Sequence, residues 1–126
     1  MTVQLAHTTD ATSWDNYVLN HPGGTIFHLF AWKQVIEQSF QHQSHYLVAV
    51  DDKKETTILG VLPLFEIRSM LFGHSLVSVP FAEIGGVLAE NEAVEKALLE
   101  KAFSLSRETG CAYIELKNQT AIAGLP

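Results

Sequence analysis

Along the chain the apolar positions change their spacing several times, and each change marks an expected element. Thr2 to His7 (TVQLAH) fits a short first strand. Thr12 reads as an N-cap with Asp15 three positions on, and Trp14, Tyr17 and Val18 then fall on one helical face. His21-Pro22-Gly23-Gly24 ends that helix after about two turns, because proline cannot continue it and the glycines admit positive φ. Thr25 to Leu29 is expected to be a brief extended link. From Phe30 or Ala31 to about Ser39 the spacing of Trp32, Val35, Ile36, Ser39 and Phe40 predicts a second helix with a core-facing stripe. Lys33, Gln34, Glu37 and Gln38 lie outside the stripe.

Beyond that helix the pattern turns to β. His45 to Val50 (HYLVAV) and Thr57 to Ile67 (TILGVLPLFEI) are the arms of a hairpin closed by the charged turn Asp51 to Glu55. Pro63, lacking an N–H, must sit at a bulge, at an edge or where the neighbouring strand has ended. Gly73 divides two apolar pieces, Leu76 to Val79 is a third strand of the meander, and Pro80 closes it. Gly85-Gly86 makes a turn or bulge and Val87-Leu88 a short extended piece. Asn91 then caps the longest helix, Glu92 to about Thr109, which Gly110 ends as a C′ glycine. Val94, Leu98, Ala102 and Leu105 form its core stripe, widened by Leu99 and Phe103, while the Lys101 stem lies over the sheet or turns its head to a ligand. Ala112 to Lys117 (AYIELK) is a final strand, and Asn118 to Pro126 ends in apolar residues as if cut. The order predicts one domain, 1–126, of mixed α/β (α+β) class.

Composition narrows the partners. With 126 residues the chain is large enough for a single core without a disulfide or metal staple. Only 17% of residues are charged while 47% are apolar, so a face meant to be covered is expected. The net charge is −6 and the eight Lys and Arg are scattered, which argues against a nucleic-acid or anionic-membrane binder. No stretch has the form of a signal peptide or a membrane span, so the expected compartment is the cytoplasm. The single cysteine, Cys111, is read as a buried thiol at the start of a strand, since no base flanks it.

Candidate chemistry is sparse. His42 and His45 stand three apart, but zinc needs three or four ligands and nothing completes the pair, so no metal is expected. His7, His21, His28 and His74 are isolated and read as ordinary loop residues. Gly85-Gly86 ahead of a helix resembles an anion nest. Glu83, Glu90, Glu92 and Glu95 around it would repel phosphate and favour the helix dipole, which points to a structural turn instead. Ser75 and Ser78 lie in no nucleophile elbow. Glu83 is a general base only if it lines a pocket.

The element order of strand, two helices, three-strand meander, long helix and strand matches the first part of the GNAT acyltransferase fold. Within it, TIFHLFAW (Thr25 to Trp32), GVLPL (Gly60 to Leu64), LFGHSLVSVPF (Leu71 to Phe81), GGVLA (Gly85 to Ala89) and YIEL (Tyr113 to Leu116) resemble FemAB-type proteins, most of all those associated with exopolysaccharide and PEP-CTERM systems. The resemblance implies a GNAT-like, largely antiparallel sheet flanked by helices and incomplete at its C-terminal end. It also implies an N-terminal half of a two-domain transferase, inactive alone, that moves an aminoacyl or acyl group onto an amine of a cell-wall or exopolysaccharide-related acceptor. Trp32, Ser78, Phe81, Gly85 and Gly86 are the implied substrate contacts and Glu83 the candidate catalytic residue. The Q/R-x-x-G-x-G/A signature for acyl-CoA is missing between Val79 and Glu92. Acyl-CoA is therefore not the expected cofactor, and aminoacyl-tRNA or another activated acyl donor is. Ile36 stands where peptidoglycan-bridge members carry a lysine. The competing expectations are a non-catalytic GNAT-like binding or scaffold domain and a stand-alone acetyltransferase.

Overall fold

A computed structural model describes residues 1–40, 43–54, 57–69, 73–78, 86–111 and 113–115. His42, Leu71, Val79, Pro80, Phe81, Glu83, Gly85 and the tail from Asn118 to Pro126 lie outside the described residues. The helices are α1 (Ala11–Asn20), α2 (Ala31–Phe40) and α3 (Glu92–Thr109). β1 (Thr2–Leu5), β3 (Leu47–Val50), β4 (Ile58–Leu62) and β7 (Leu88–Ala89) pair antiparallel in that order. β2 (Gln43–Ser44), β5 (Leu64–Ser69), β6 (Gly73–Ser78) and β8 (Tyr113–Glu115) form a second sheet, antiparallel except for the parallel pair β6 and β8.

The two sheets are one bent surface. Ser44 lies opposite Phe65 and Leu47 opposite Leu62 in a single register, so His45 faces Leu64, whose carbonyl accepts its N–H at 2.7 Å, and Tyr46 faces Pro63. The expected continuous arm Thr57 to Ile67 is thus divided at Pro63, and the expected run His45 to Val50 at Tyr46. On the other edge, register places Ser78 opposite Leu64 and Leu88 opposite Val61. Pro63 stands between β4 and β5, and lacking an N–H it offers no ladder donor there. Gly73 opens β6.

Alternation sends the strand side chains to two cores. Tyr46, Val48, Val50, Val61 and Phe65 pack with Trp14 and Val18 of α1, Phe30 and Ile36. On the opposite face Leu47, Ala49, Leu62, Leu64 and Leu76 pack with Val94, Leu98, Ala102 and Leu105 of α3. Gly60 lies where α3 crosses: a Cβ there would stand 2.7 Å from Val94 Cγ1 and 2.9 Å from the Leu88 carbonyl oxygen. Neither helix nor strand leaves room for one.

Three expectations about the helices change. α1 begins at Ala11 behind the short turn Thr8–Asp10, and the Asp10 carboxylate accepts the His7 N–H, so Thr12 is not its cap. Thr25–Leu29 is not extended: Ile26–His28 is a single 3₁₀ turn whose start is capped by Thr25 and closed by the His28 side chain. In α2, Ile36 is buried and Trp32 half-buried, but Val35 is 45% exposed because it turns away from Ile36; the side chains of Ser39 and Phe40 lie outside the described part. For α3 the Asn91 side chain accepts the Val94 N–H and Gly110 closes the helix at φ 76°, as the sequence predicts. No helix among the described residues is long and apolar enough to cross a membrane.

Candidate functional site

β6 and β8 pair in parallel, Ser75 opposite Tyr113 and Val77 opposite Glu115, and open sheets place ligands beyond the carboxyl ends of parallel strands. The His28 ring is buried; Nδ1 accepts the Thr25 N–H at 3.1 Å and Nε2–H donates to the Gly86 carbonyl at 3.0 Å. Trp14 Nε1–H donates to the His28 carbonyl at 2.7 Å. The connection between α1 and α2 is thereby fastened to the residue at which the chain re-enters the sheet. Burial, ahead of the charge of His21 and against the Gly86 bond, lowers the His28 pKa to about 4. It stays a neutral imidazole, which makes it a structural clasp and not the ordinary loop residue its isolation in sequence implies.

Polar side chains gather on the face that α3 shares. Glu66 on β5 is buried there, in phase with Leu64 and Leu76. An unpaired carboxylate in that position would cost several kcal/mol. Two imidazoles supply the missing donors: His45 Nε2 lies 2.9 Å from one carboxylate oxygen and His74 Nε2 2.6 Å from the other. Both distances are those of charge-assisted bonds. Because a carboxylate only accepts, each Nε2 carries a hydrogen, and in a neutral ring the basic lone pair is then on Nδ1. Neither ring makes another hydrogen bond to the described residues. The side chains of His45 and His74 keep 11% and 20% of their surface exposed while Glu66 keeps 4%, so the imidazoles stand between a sealed carboxylate and solvent. This is the geometry of an oriented proton acceptor. It replaces the reading of His45 and His74 as ordinary loop histidines.

Ser78 is fully buried and belongs to the same face, in the row Ser78, Leu64, His45 across three strands. Two interstrand spacings, roughly 9–10 Å between backbones, separate it from His45. Trp32 is on the opposite face, half-buried against the α1–α2 core and tilted against Phe27 at 5.7 Å. The Gly86 carbonyl is the acceptor for His28 Nε2–H. Phe81, Gly85 and Glu83 lie outside the described residues. Cys111 is half-buried, with Sγ 3.1 Å from Thr109 Oγ1. Among the described residues no group of three or more His, Cys, Asp or Glu is arranged to hold a metal ion.

Sequence reasoning missed the cluster because its members are 21 and 8 residues apart on different strands. One signal was available: a Glu inside an apolar run that is buried on both sheet faces must have a partner.

No family model matches the sequence, and no curated protein matches it. Solved structures do. A GNAT family acetyltransferase from Staphylococcus aureus superposes with a TM-score of 0.62 at 14% identity, over 99% of this chain and 91% of that one. A transcriptional regulator from Bacillus halodurans superposes with a TM-score of 0.59 at 15% identity, over 94% of this chain and 82% of that one. At such identities the likeness is one of fold: the chain has a mixed α+β, GNAT-like fold with three helices on antiparallel sheets.

Proposed function

We propose that this chain is an acyl-transfer domain of FemAB type, moving an aminoacyl or acyl group from an activated donor onto an amine of a cell-wall or exopolysaccharide-related acceptor. The observation that carries the reading is the Glu66 carboxylate holding two imidazoles on the face that leads to the end of β6. Amine acylation needs such a group. The attacking nitrogen forms its bond to the carbonyl carbon as an amine and must shed one proton. His45, in the Ser78 row, is the proton acceptor, and Glu66 is its positioning residue. As the carbonyl carbon–oxygen bond to the donor breaks, the same proton passes to the leaving hydroxyl, and an amide and a free alcohol result. The resemblance assigns Ser78, Phe81, Gly85 and Gly86 to the substrate and Glu83 to a cationic acceptor, and these roles belong to the same proposal.

The donor in this reading is aminoacyl-tRNA or another activated ester, and a second GNAT-like half completes the cleft. The missing Q/R-x-x-G-x-G/A signature supports a donor other than acyl-CoA. Transfer of radiolabelled amino acid from charged tRNA to a lipid- or nucleotide-linked peptide precursor tests it, using the full-length natural protein. Glu66→Gln is expected to lower kcat by about 10²-fold or more with KM little changed. Unchanged kcat in that variant removes the proposed role.

A further inference from the structure

The transfer proposed above gives His45 a proton to accept and Glu66 a ring to orient, and it leaves His74 without a task. Strand register supplies one. His45 lies opposite Leu64, two residues before Glu66 on β5, and its N–H reaches the Leu64 carbonyl at 2.7 Å. His74 lies on the other side of β5, opposite Arg68, two residues after Glu66. The two imidazoles therefore reach the carboxylate diagonally, from segments that flank β5 on either side and from opposite directions along it. Each takes a different oxygen: His45 Nε2 stands 2.9 Å from Oε1 and His74 Nε2 2.6 Å from Oε2.

A glutamate carboxyl group turns easily about its last torsion, which joins an sp³ carbon to an sp² one and has a broad minimum. A donor at one oxygen restrains that rotation weakly. Donors at both oxygens, arriving from opposite sides, resist it in either direction, because a turn of the carboxylate plane strains both bonds at once. The restraint passes on to His45. Its Nε2–H follows Oε1, and the lone pair on Nδ1 follows the ring.

We propose that His74 is a positioning residue of this site: it holds Glu66 Oε2 so that Oε1 keeps the His45 ring, and with it the Nδ1 lone pair, in one orientation. The role in transfer rests on the reading of His45 as the proton acceptor; the hold on the ring does not. Orientation is what such a residue controls, and a displacement of about 1 Å at a reacting group costs about 10²-fold in rate. His74 acts through the carboxylate and takes no proton from the substrate.

Two readouts test it, one with substrate and one without. In the full-length protein His74→Leu should lower kcat of aminoacyl transfer by about tenfold with KM little changed, and His74→Gln, which keeps a side-chain N–H for Oε2, should recover most of the rate. On a Glu66→Gln background His74→Leu should lower kcat no further, because its effect passes through the carboxylate; a merely structural loss would add there. In the chain alone, the hydrogen-bonded Nε2 proton of His45 should give an NMR resonance in the parent and in His74→Gln, and lose it to exchange in His74→Leu. Parental kcat in His74→Leu, an additive loss on Glu66→Gln, or an unchanged His45 resonance in His74→Leu would each overturn the proposal. Absence of transfer by the parent would instead overturn the acyl-transfer reading, and the His45 resonance then decides by itself whether His74 holds the ring.

Discussion

The clasp made by His28 has a pH signature of its own. Protonating this ring would place an N–H on Nδ1 against the Thr25 N–H and put a charge in the core, so the native state resists it. Its pKa is lowered from 6.5 to about 4 by burial first of all. A base with a depressed native pKa destabilises the fold wherever the unfolded chain binds a proton that the native state refuses. Above about pH 6.5 both states are neutral and nothing is lost; between about pH 6.5 and pH 4 stability falls with pH; below pH 4 both are protonated and the loss levels off. Applied to these two values, linkage gives a loss of about 2 kcal/mol between pH 7 and pH 5. His28→Gln should be less stable than the parent at pH 7 by about 1–3 kcal/mol, since the Gly86 and Thr25 bonds are not both recovered. Its deficit should then shrink by about 2 kcal/mol at pH 5, because the amide does not titrate. Urea unfolding followed by tryptophan fluorescence measures both, with Trp14 hydrogen-bonded to the His28 carbonyl as an internal reporter. A deficit that is the same at pH 7 and pH 5 would refute the account of a neutral, buried clasp.

Further expectations concern the frame around the site. Gly60→Ala forces a Cβ to within 2.9 Å of the Leu88 carbonyl oxygen, and a loss of about 1–3 kcal/mol in chemical unfolding is expected because a backbone atom cannot step aside. Asn91→Ala removes the acceptor for the Val94 N–H and should cost about 1 kcal/mol by the same assay. Leu98→Ala empties a fully buried position under α3 and should cost about 2–5 kcal/mol.

Much of the frame was legible in the sequence, and the reasons are local. Asn91 and Gly110 bracket α3 with side-chain and left-handed caps that need no tertiary partner, and Val94, Leu98, Ala102 and Leu105 repeat at helical spacing. Pro63 marked a bulge, an edge or the end of a neighbouring strand, since proline has no N–H to offer, and the expected arm divides there into β4 and β5. Other features were not local. Whether Val35 or Trp32 turns inward depends on where α2 meets Phe27 and Ile36. The turn at Ile26–His28 depends on a ring that reaches Gly86, 58 residues away. The Glu66 cluster depends on strand register: only with Gln43 opposite Glu66 and Leu76 on its other side do His45 and His74 converge on one carboxylate. A sheet buried on both faces hides that register, because its strands read as nearly continuous apolar runs.

The central claim is that Glu66 and His45 supply the proton acceptor for acylation of an amine. The most direct test is the pH–rate profile of aminoacyl transfer by the full-length protein, compared among the parent, Glu66→Gln and His45→Asn. The parent should transfer the amino acid with a rate that rises along a single acid limb. His45→Asn should lose about 10²-fold or more in kcat together with that limb, and Glu66→Gln should lower kcat by about 10²-fold or more with KM little changed. Transfer by His45→Asn at the parental rate with the parental profile would contradict the claim.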